Sequence, residues 1–163
     1  MTEPSPYARL QSRIISLLAR DLPPDDLFTA VAEAIIDVIP IDRFSLGTSS
    51  LNRWHVYEDG KTDFEDSTPR GTLKAGFSAS SWVLNNGKSI HRPNLTEYRF
   101  EFDKEMVAEG YHSDAIIPLT LGDQTIGTAN FTCKERDVLS ASHLNQIDAL
   151  GDLLGICAGR IQD

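Results

Sequence analysis

The sequence predicts an α+β domain built on a central antiparallel sheet. Two observations carry that prediction. Gly110 to Lys134 reads as two strands folded back on each other. Ala115, Ile117, Leu119 and Leu121 alternate with Asp114, Ile116, Pro118 and Thr120. Gly122-Asp123 then supplies a pair that tolerates positive φ. Gln124 to Cys133 alternates again, with Ile126, Thr128, Asn130 and Thr132 on one face and Gly127, Ala129, Phe131 and Cys133 on the other. The second observation is that helical patterns gather at the two ends of the chain while hairpin-linked strands lie between them, the arrangement of an α+β fold.

The elements follow in order. Tyr7, Leu10, Ile14 and Leu17 recur at helical spacing and define a helix from Tyr7 to Arg20, broken by Pro23-Pro24. Asp25 or Asp26 caps a second helix with Leu27, Val31, Ile35 and Val38 as its stripe, and Pro40 stops it. Ile41 to Thr48 and Arg53 to Tyr57 are strands around a turn at Leu51-Asn52. Asp59 to Thr62 reads as a loop, and Asp63 to Leu73 has little pattern beyond a short strand near Gly71 to Leu73. After a turn at Gly76 to Ser78, Ser78 or Ser80 caps a short helix, Ser81 to Asn85, with a left-handed exit at Asn86-Gly87. Ser89 to His91 is a short strand, Pro93 to Phe102 is irregular, and Asp103 to Glu109 is a short helix. The hairpin follows, and Ser140 or Ser142 caps a last helix running to Ile161. The expected organisation is one domain over 1–163, with an N-terminal helix at 7–20, a core at 22–139 and a C-terminal helix at 140–161.

Bulk properties narrow the function. A chain of 163 residues suffices for one core. A net charge of −9 and scattered basic residues argue against direct nucleic-acid binding. No apolar run approaches ~18 residues, and the N-terminus lacks the pattern of a signal peptide, so a cytoplasmic location is expected. The two cysteines, Cys133 and Cys157, read as reduced, packed groups. His55, His91, His112 and His143 show no metal-ligand spacing, so no metal site is expected. No Gly-x-Ser-x-Gly motif and no phosphate-cradling loop is present.

Gly110, Ser113, Ile117, Pro118, Leu119, Gly122, Ile126, Gly127 and Thr128, together with Asp42-Arg43-Phe44 after a helix and Gly87-Lys88-Ser89-Ile90, resemble the motifs of the GAF domain family. Ser89 stands where that family usually has Pro. The likeness runs from about Leu22 to Ile161. It implies a PAS-like sheet of about six strands, terminal helices on one face, and short helices and loops on the other, where the family holds ligands. It also implies a sensory module similar to input domains of bacterial sigma-54-dependent activators and sensor kinases. Such a module binds a small molecule or partner domain and relays through its terminal helices to an output domain absent from this chain, which is then a fragment or a stand-alone sensor. No cysteine lies in the candidate pocket region, which argues against a covalent bilin and against the family's free methionine sulfoxide reductases. The expectation is therefore not an enzyme, with that reductase and a ligand-free structural dimerisation module as rivals. The cofactor is left unassigned. Lys88, Phe100, Asp103 and Glu105 match the cyclic-nucleotide pattern only loosely.

Two residue groups are candidate sites. Phe77, Trp82, Arg92, Asn94, Tyr98, Tyr111 and Ser113 form a candidate pocket, with Arg92 suited to a carboxylate or phosphate. The alternatives are aromatics that fill the space under the loops, and an Arg92 paired with Glu97, Glu101 or Asp103. Ile147, Leu150, Leu154, Cys157 and Ile161 step by 3-4-3-4, as a coiled-coil seam does. With Leu10, Ile14 and Leu17 they form the expected homodimer interface, or else a stripe against the domain's own sheet.

Overall fold

The computed structural model describes residues 5–48, 53–66 and 77–161. Helix α1 (Pro6–Leu18) starts where the Ser5 side chain accepts the Ala8 amide at 3.1 Å and Pro6 occupies the first turn. In α2 (Pro24–Ile36) the residue at the cap is Pro23. Asp25 and Asp26 fall inside the first turn, where their charge suits the helix dipole without capping. The strands β1 (Arg43–Thr48), β2 (Arg53–Glu58) and β3 (Lys61–Asp66) are followed by α3 (Ala79–Asn86) and β4 (Ile90–Arg92). A 3₁₀ turn at Leu95–Glu97, α4 (Asp103–Ala108), the hairpin β5 (Ser113–Leu121) and β6 (Gln124–Cys133), then α5 (Ala141–Ala149) and α6 (Gly151–Ile161), complete the chain.

The six strands form one sheet in the order β3-β2-β1-β6-β5-β4, with every pairing antiparallel. The predicted hairpin turns at Gly122, φ 61°, and carries a register shift between Leu119 and Thr120. Strand β3 departs from expectation. Lys61 and Thr62 read as loop, yet Asp59 and Gly60 alone make the turn, with φ 53° and 76°, and pairing begins at Glu58 with Lys61. An edge strand of sequence Lys-Thr-Asp-Phe-Glu-Asp lacks apolar alternation, so its pattern did not announce it. The expected turn at Leu51-Asn52, the short strand at Gly71 to Leu73 and the contribution of Gly76 lie outside the described residues.

The sheet has one apolar face. Phe44, Leu46, Ala115, Ile117, Leu119, Ala129 and Phe131 bury against α1, α2, α5 and α6. Cross-strand register keeps these side chains on one side, Phe44 opposite Phe131 and Ile117 opposite Ala129. A row of rings runs through this layer. Phe28 stacks on Phe44 at 5.8 Å, Phe44 meets Phe131 at 5.2 Å, and His55 lies between Phe28 and Phe64. The Thr29 and Thr62 hydroxyls, 2.5 Å apart, tie α2 to the edge strand β3.

The C-terminal helix is two helices. It breaks at Leu150, whose amide bonds to the Ile147 carbonyl, before α6 begins at Gly151. Its glycines recur every four residues, Gly151, Gly155 and Gly159, along the side packed on β5. A Cβ at Gly155 would stand 2.2 Å from the Thr120 carbonyl oxygen, so only glycine lets the helix lie this close to the strand backbone. The Thr120 hydroxyl donates to Asp152 at 2.8 Å beside it. Arg160 donates to the carbonyls of Leu18 and Arg20, which joins α6 to the end of α1.

This packing corrects the expected dimer seam. Leu10, Ile14, Ile147, Leu150, Leu154, Cys157 and Ile161 are all buried within this protomer's own core, and Leu17 packs against its margin. The 3-4-3-4 stepping arises because α5 and α6 face the sheet on either side of a break. The apolar side chains these helices leave in solvent are others: Ile15, 53% exposed, and Ile156, 45% exposed.

Two outcomes are expected. Leu154→Ala removes a fully buried side chain and should cost about 2–5 kcal/mol in chemical denaturation, whereas Ile156→Ala should stay within about 0.5 kcal/mol. Equal costs would contradict the assignment of faces. Gly155→Val should lower the melting midpoint by several degrees, since overpacking costs about 1–3 kcal/mol; an unchanged midpoint would refute the close approach of α6 to Thr120.

Candidate functional site

The opposite face of the sheet is polar where the helix face is not. The alternation that puts Ala129 and Phe131 into the core puts Thr128, Asn130 and Thr132 on this side. Helix α3 lies over it. Ser78 caps α3 by accepting the Ser81 amide at 3.1 Å, and Gly87, at φ 65°, ends it in the left-handed conformation. Ala79 and Val83 seat α3 on Ile116, with Trp82, Ile90 and Phe100 around them. This cluster is small beside the core on the helix side.

Between α3 and the strands lies a cleft lined by Gly47, Thr48, Trp54, Ser80, Leu84, Gly127 and Thr128. Gly47 lets the Trp54 indole lie against the sheet, because a Cβ there would meet the ring at 2.4 Å. The cavity is about 10 Å³, room for roughly one water. Two polar atoms on this face of β6 are unmet among the described residues, one of them on the cavity wall at Thr128. Thr128 is 2% exposed, and its Oγ1 has no hydrogen-bond partner among the described residues. Asn130 donates from Nδ2 to Ser80 Oγ at 2.7 Å, while its Oδ1 is buried without a partner. Unmet buried polar groups are costly, so this strip of β6 has hydrogen-bonding capacity that the described residues do not satisfy.

A second polar cluster lies near the chain's other short helix. Arg92 on β4 donates from Nε and Nη2 to the two oxygens of Asp114 on β5, at 2.9 and 2.5 Å. Its Nη1 donates to Asp103 at the start of α4, at 2.5 Å. All three side chains are at least 97% buried. The second Asp103 oxygen accepts the Phe100 amide, and the guanidinium lies 5.5 Å from the Phe100 ring. Burial raises the Asp114 pKa above the ordinary carboxylate range, with the nearby Asp103 charge adding to the rise against the opposing pull of Arg92. Burial works to lower the Arg92 pKa, but the hydrogen bonds and charges of Asp114 and Asp103 outweigh it and raise the pKa. The cluster pins β4, β5 and α4 together around one buried cation.

The seven candidate pocket residues are not brought into one site. Arg92 is held by Asp103 and Asp114, so its fork is not directed at the cleft. Asn94 caps the 3₁₀ turn by accepting from the Thr96 amide and hydroxyl. Tyr98 ends that turn in the left-handed conformation and is 46% exposed. Tyr111 donates to Glu58 and lies under Arg43. Ser113 pairs with Cys133 and so shares the helix-side face, donating to the Glu135 carbonyl. Phe77 packs on Phe102 at 5.6 Å, and Trp82 belongs to the α3 cluster. The cleft residues that sequence reading missed come from β1, β2, α3 and β6. One signal for them was present, the polar face of β6 opposite an apolar one.

Both thiols lie in the helix-side core. Burial pushes Cys133 up to about 11 and Cys157 up to about 12. At neutral pH the thiolate fraction is then on the order of one in ten thousand or less. Among the described residues no group of three His, Cys, Asp or Glu side chains is placed to hold a metal, and no helix is long and apolar enough to cross a membrane.

The sequence profile described as GAF domain matches residues 21–157. A comparison with curated protein sequences returns no match. Among solved structures, the A. aeolicus Nlh2 GAF domain in an inactive state is similar at 13% identity and TM-score 0.70, over 97% of this chain and 98% of that one. The GAF domain of a two-component sensor histidine kinase from Bacillus halodurans is similar at 17% identity and TM-score 0.63, over 85% and 95%. The free methionine-R-sulfoxide reductase from Neisseria meningitidis, in complex with its substrate, is similar at 10% identity and TM-score 0.65, over 99% and 93%. These likenesses show the fold. The last of them also overturns the expectation that the chain is not an enzyme. That expectation leaned on family subtype, and the same fold carries reductases, so catalysis remains open to this chain.

Arg92→Met should leave two buried carboxylates facing each other and cost about 3–5 kcal/mol near neutral pH. The folded-state pKa of Asp114, already raised by burial, would then lie further above its unfolded value. The stability of the variant is therefore greatest below the unfolded carboxylate pKa and is lost as pH rises through the raised folded value. Denaturation at a series of pH values checks the sign; a deficit that grows on acidification would contradict it. Native Cys133 and Cys157 should react with a thiol reagent at least a hundredfold more slowly than in denaturant, and prompt modification of the folded chain would refute their burial.

Proposed function

The chain belongs to the GAF domain family, and from that premise we propose that it is a sensory module of a bacterial signalling or transcription regulator. It reads a small molecule in the cleft between α3 and the sheet. The observation that carries this reading is the buried Thr128 hydroxyl on the wall of that cleft, which no described residue partners. Occupancy alters how α3 sits, and any signalling ligand must bind the two arrangements unequally.

A contiguous set of contacts leads away from the cleft. Gly127 on β6 pairs with Leu119 on β5, next to the register shift. The neighbouring Thr120 carbonyl meets Gly155 of α6, and Arg160 of α6 holds the end of α1. A displacement of β6 against β5 is thus delivered to both terminal helices. Pairing between copies, where it occurs, falls to the outer helix surface that carries Ile15 and Ile156, since the inner stripe is occupied.

A fragment-library screen by amide chemical-shift mapping tests the reading. Binders are expected to move Trp54, Thr128 and residues of α3, with smaller shifts in α6. A screen whose binders all map elsewhere, or that finds none, would overturn it.

A further inference from the structure

Resting on the reading that the cleft takes a small molecule, we propose that its occupant is an uncharged compound with an amide-type edge, and that it enters by displacing Ser80 from Asn130. Among the described residues, the cleft lining carries no charged side chain. An anion entering it would lose hydration with no cation among those lining residues to replace it. The buried guanidinium nearest in kind, Arg92, already holds two carboxylates. A net charge of −9 adds a field that repels anions.

Hydrogen-bonding chemistry narrows the class further. The Thr128 hydroxyl can both donate and accept. Asn130 engages one end of its carboxamide with Ser80 and leaves the other unmet. Turning that amide over exchanges its oxygen and nitrogen but still leaves one of them unmet. Thr128 and Asn130 are successive residues on one face of β6, roughly 7 Å apart along the strand. Together they match a group that carries a donor and an acceptor on one edge, as a primary amide does. Once Ser80 is displaced, both ends of the Asn130 carboxamide are free whichever way it is turned, and a carboxylate, which only accepts, cannot meet its oxygen. The Trp54 indole offers a flat apolar wall for an attached ring.

Size dictates the route of entry. A cavity of about 10 Å³ cannot admit several heavy atoms while α3 stays seated. The Ser80–Asn130 bond is the polar tie between α3 and β6 at this point, and Asn130 is also the group a ligand must reach. Ligand and α3 therefore compete for the same amide. The small cluster of Ala79, Val83 and Ile116 lets α3 shift without disturbing the core on the other face.

Benzamide and benzoate differ only in the edge at issue and serve as matched probes, titrated into the full chain with amide and indole chemical shifts as readout. Benzamide is expected to move Trp54 and residues 79–86 with at least tenfold tighter apparent affinity than benzoate. Thr128→Val should weaken benzamide at least tenfold, Thr128→Ser should keep it within about threefold, and Ser80→Ala should tighten it by freeing Asn130. Asn130→Leu, at a part-exposed position, is the second loss variant should Thr128→Val fail to fold. Benzoate binding these residues as tightly as benzamide overturns the proposal yet leaves a ligand-reading cleft in place. Silence from both probes, in wild type and in Ser80→Ala, also overturns the proposal, while the library screen judges the cleft itself. Affinity for benzamide indifferent to both loss variants overturns it as well.

Discussion

A six-stranded sheet offers two faces, and in this chain only one of them is apolar. Phe44, Leu46, Ile117, Leu119, Ala129 and Phe131 fill that face, and α1, α2, α5 and α6 bury it. Burial of this kind contributes about 25 cal/mol per Å² and dominates the stability of a domain of this size. Once four helices have gathered there, their apolar stripes are taken up internally. The same packing draws both cysteines into a dry layer, which is why their thiols are held protonated. The opposite face is left to a short helix, a 3₁₀ turn and a polar row on β6.

That division explains why polar groups are treated so differently on this second face. At Arg92, Asp103 and Asp114 the polar atoms find one another, and the buried charges are matched by geometry rather than by water. At Thr128 Oγ1 and Asn130 Oδ1 they do not, among the described residues. Thr128 is buried as deeply as the charged cluster, while Asn130 is part-exposed. The charged cluster fastens β4, β5 and α4 into a rigid unit. The polar strip of β6 sits under a helix that rests on only a few apolar contacts. A stiff frame beside a loosely seated cover is a physical basis for a site that opens without unfolding the domain.

Glycine placement makes the frame tight. Gly155 brings the α6 backbone against the Thr120 carbonyl, and a Cβ at Gly127 would strike the Gly47 carbonyl oxygen at 2.1 Å. Close-packed backbones do not deform continuously. These two contacts leave no side chain between β6 and β1 or between β5 and α6 at those points.

Local patterns in the sequence determined much of the fold by themselves. The alternation through Ala115 to Cys133, the breakers at Pro23 and Pro40, and the caps at Ser78, Gly87 and Ser140 depend only on neighbours within a few residues. The strands and caps formed there, each serine cap being the first of the two serines the sequence offered, while the second helix ended at Ile36, short of the expected Val38 and Pro40. Strand β3 was not legible, because an edge strand of polar residues carries no periodic signal. Nor was the candidate site. An aromatic-rich segment suggested Phe77, Tyr98 and Tyr111, yet pockets depend on which strands become neighbours, and Trp54 and Thr128 lie more than seventy residues apart in the chain. The stepping of Ile147, Leu150, Leu154, Cys157 and Ile161 likewise told that one face is apolar but not what covers it. A single helix presents the same stripe to a partner as to its own sheet. Sequence decides which side chains seek burial, and only the tertiary structure, by choosing the burying surface, decides which of them remain free to act.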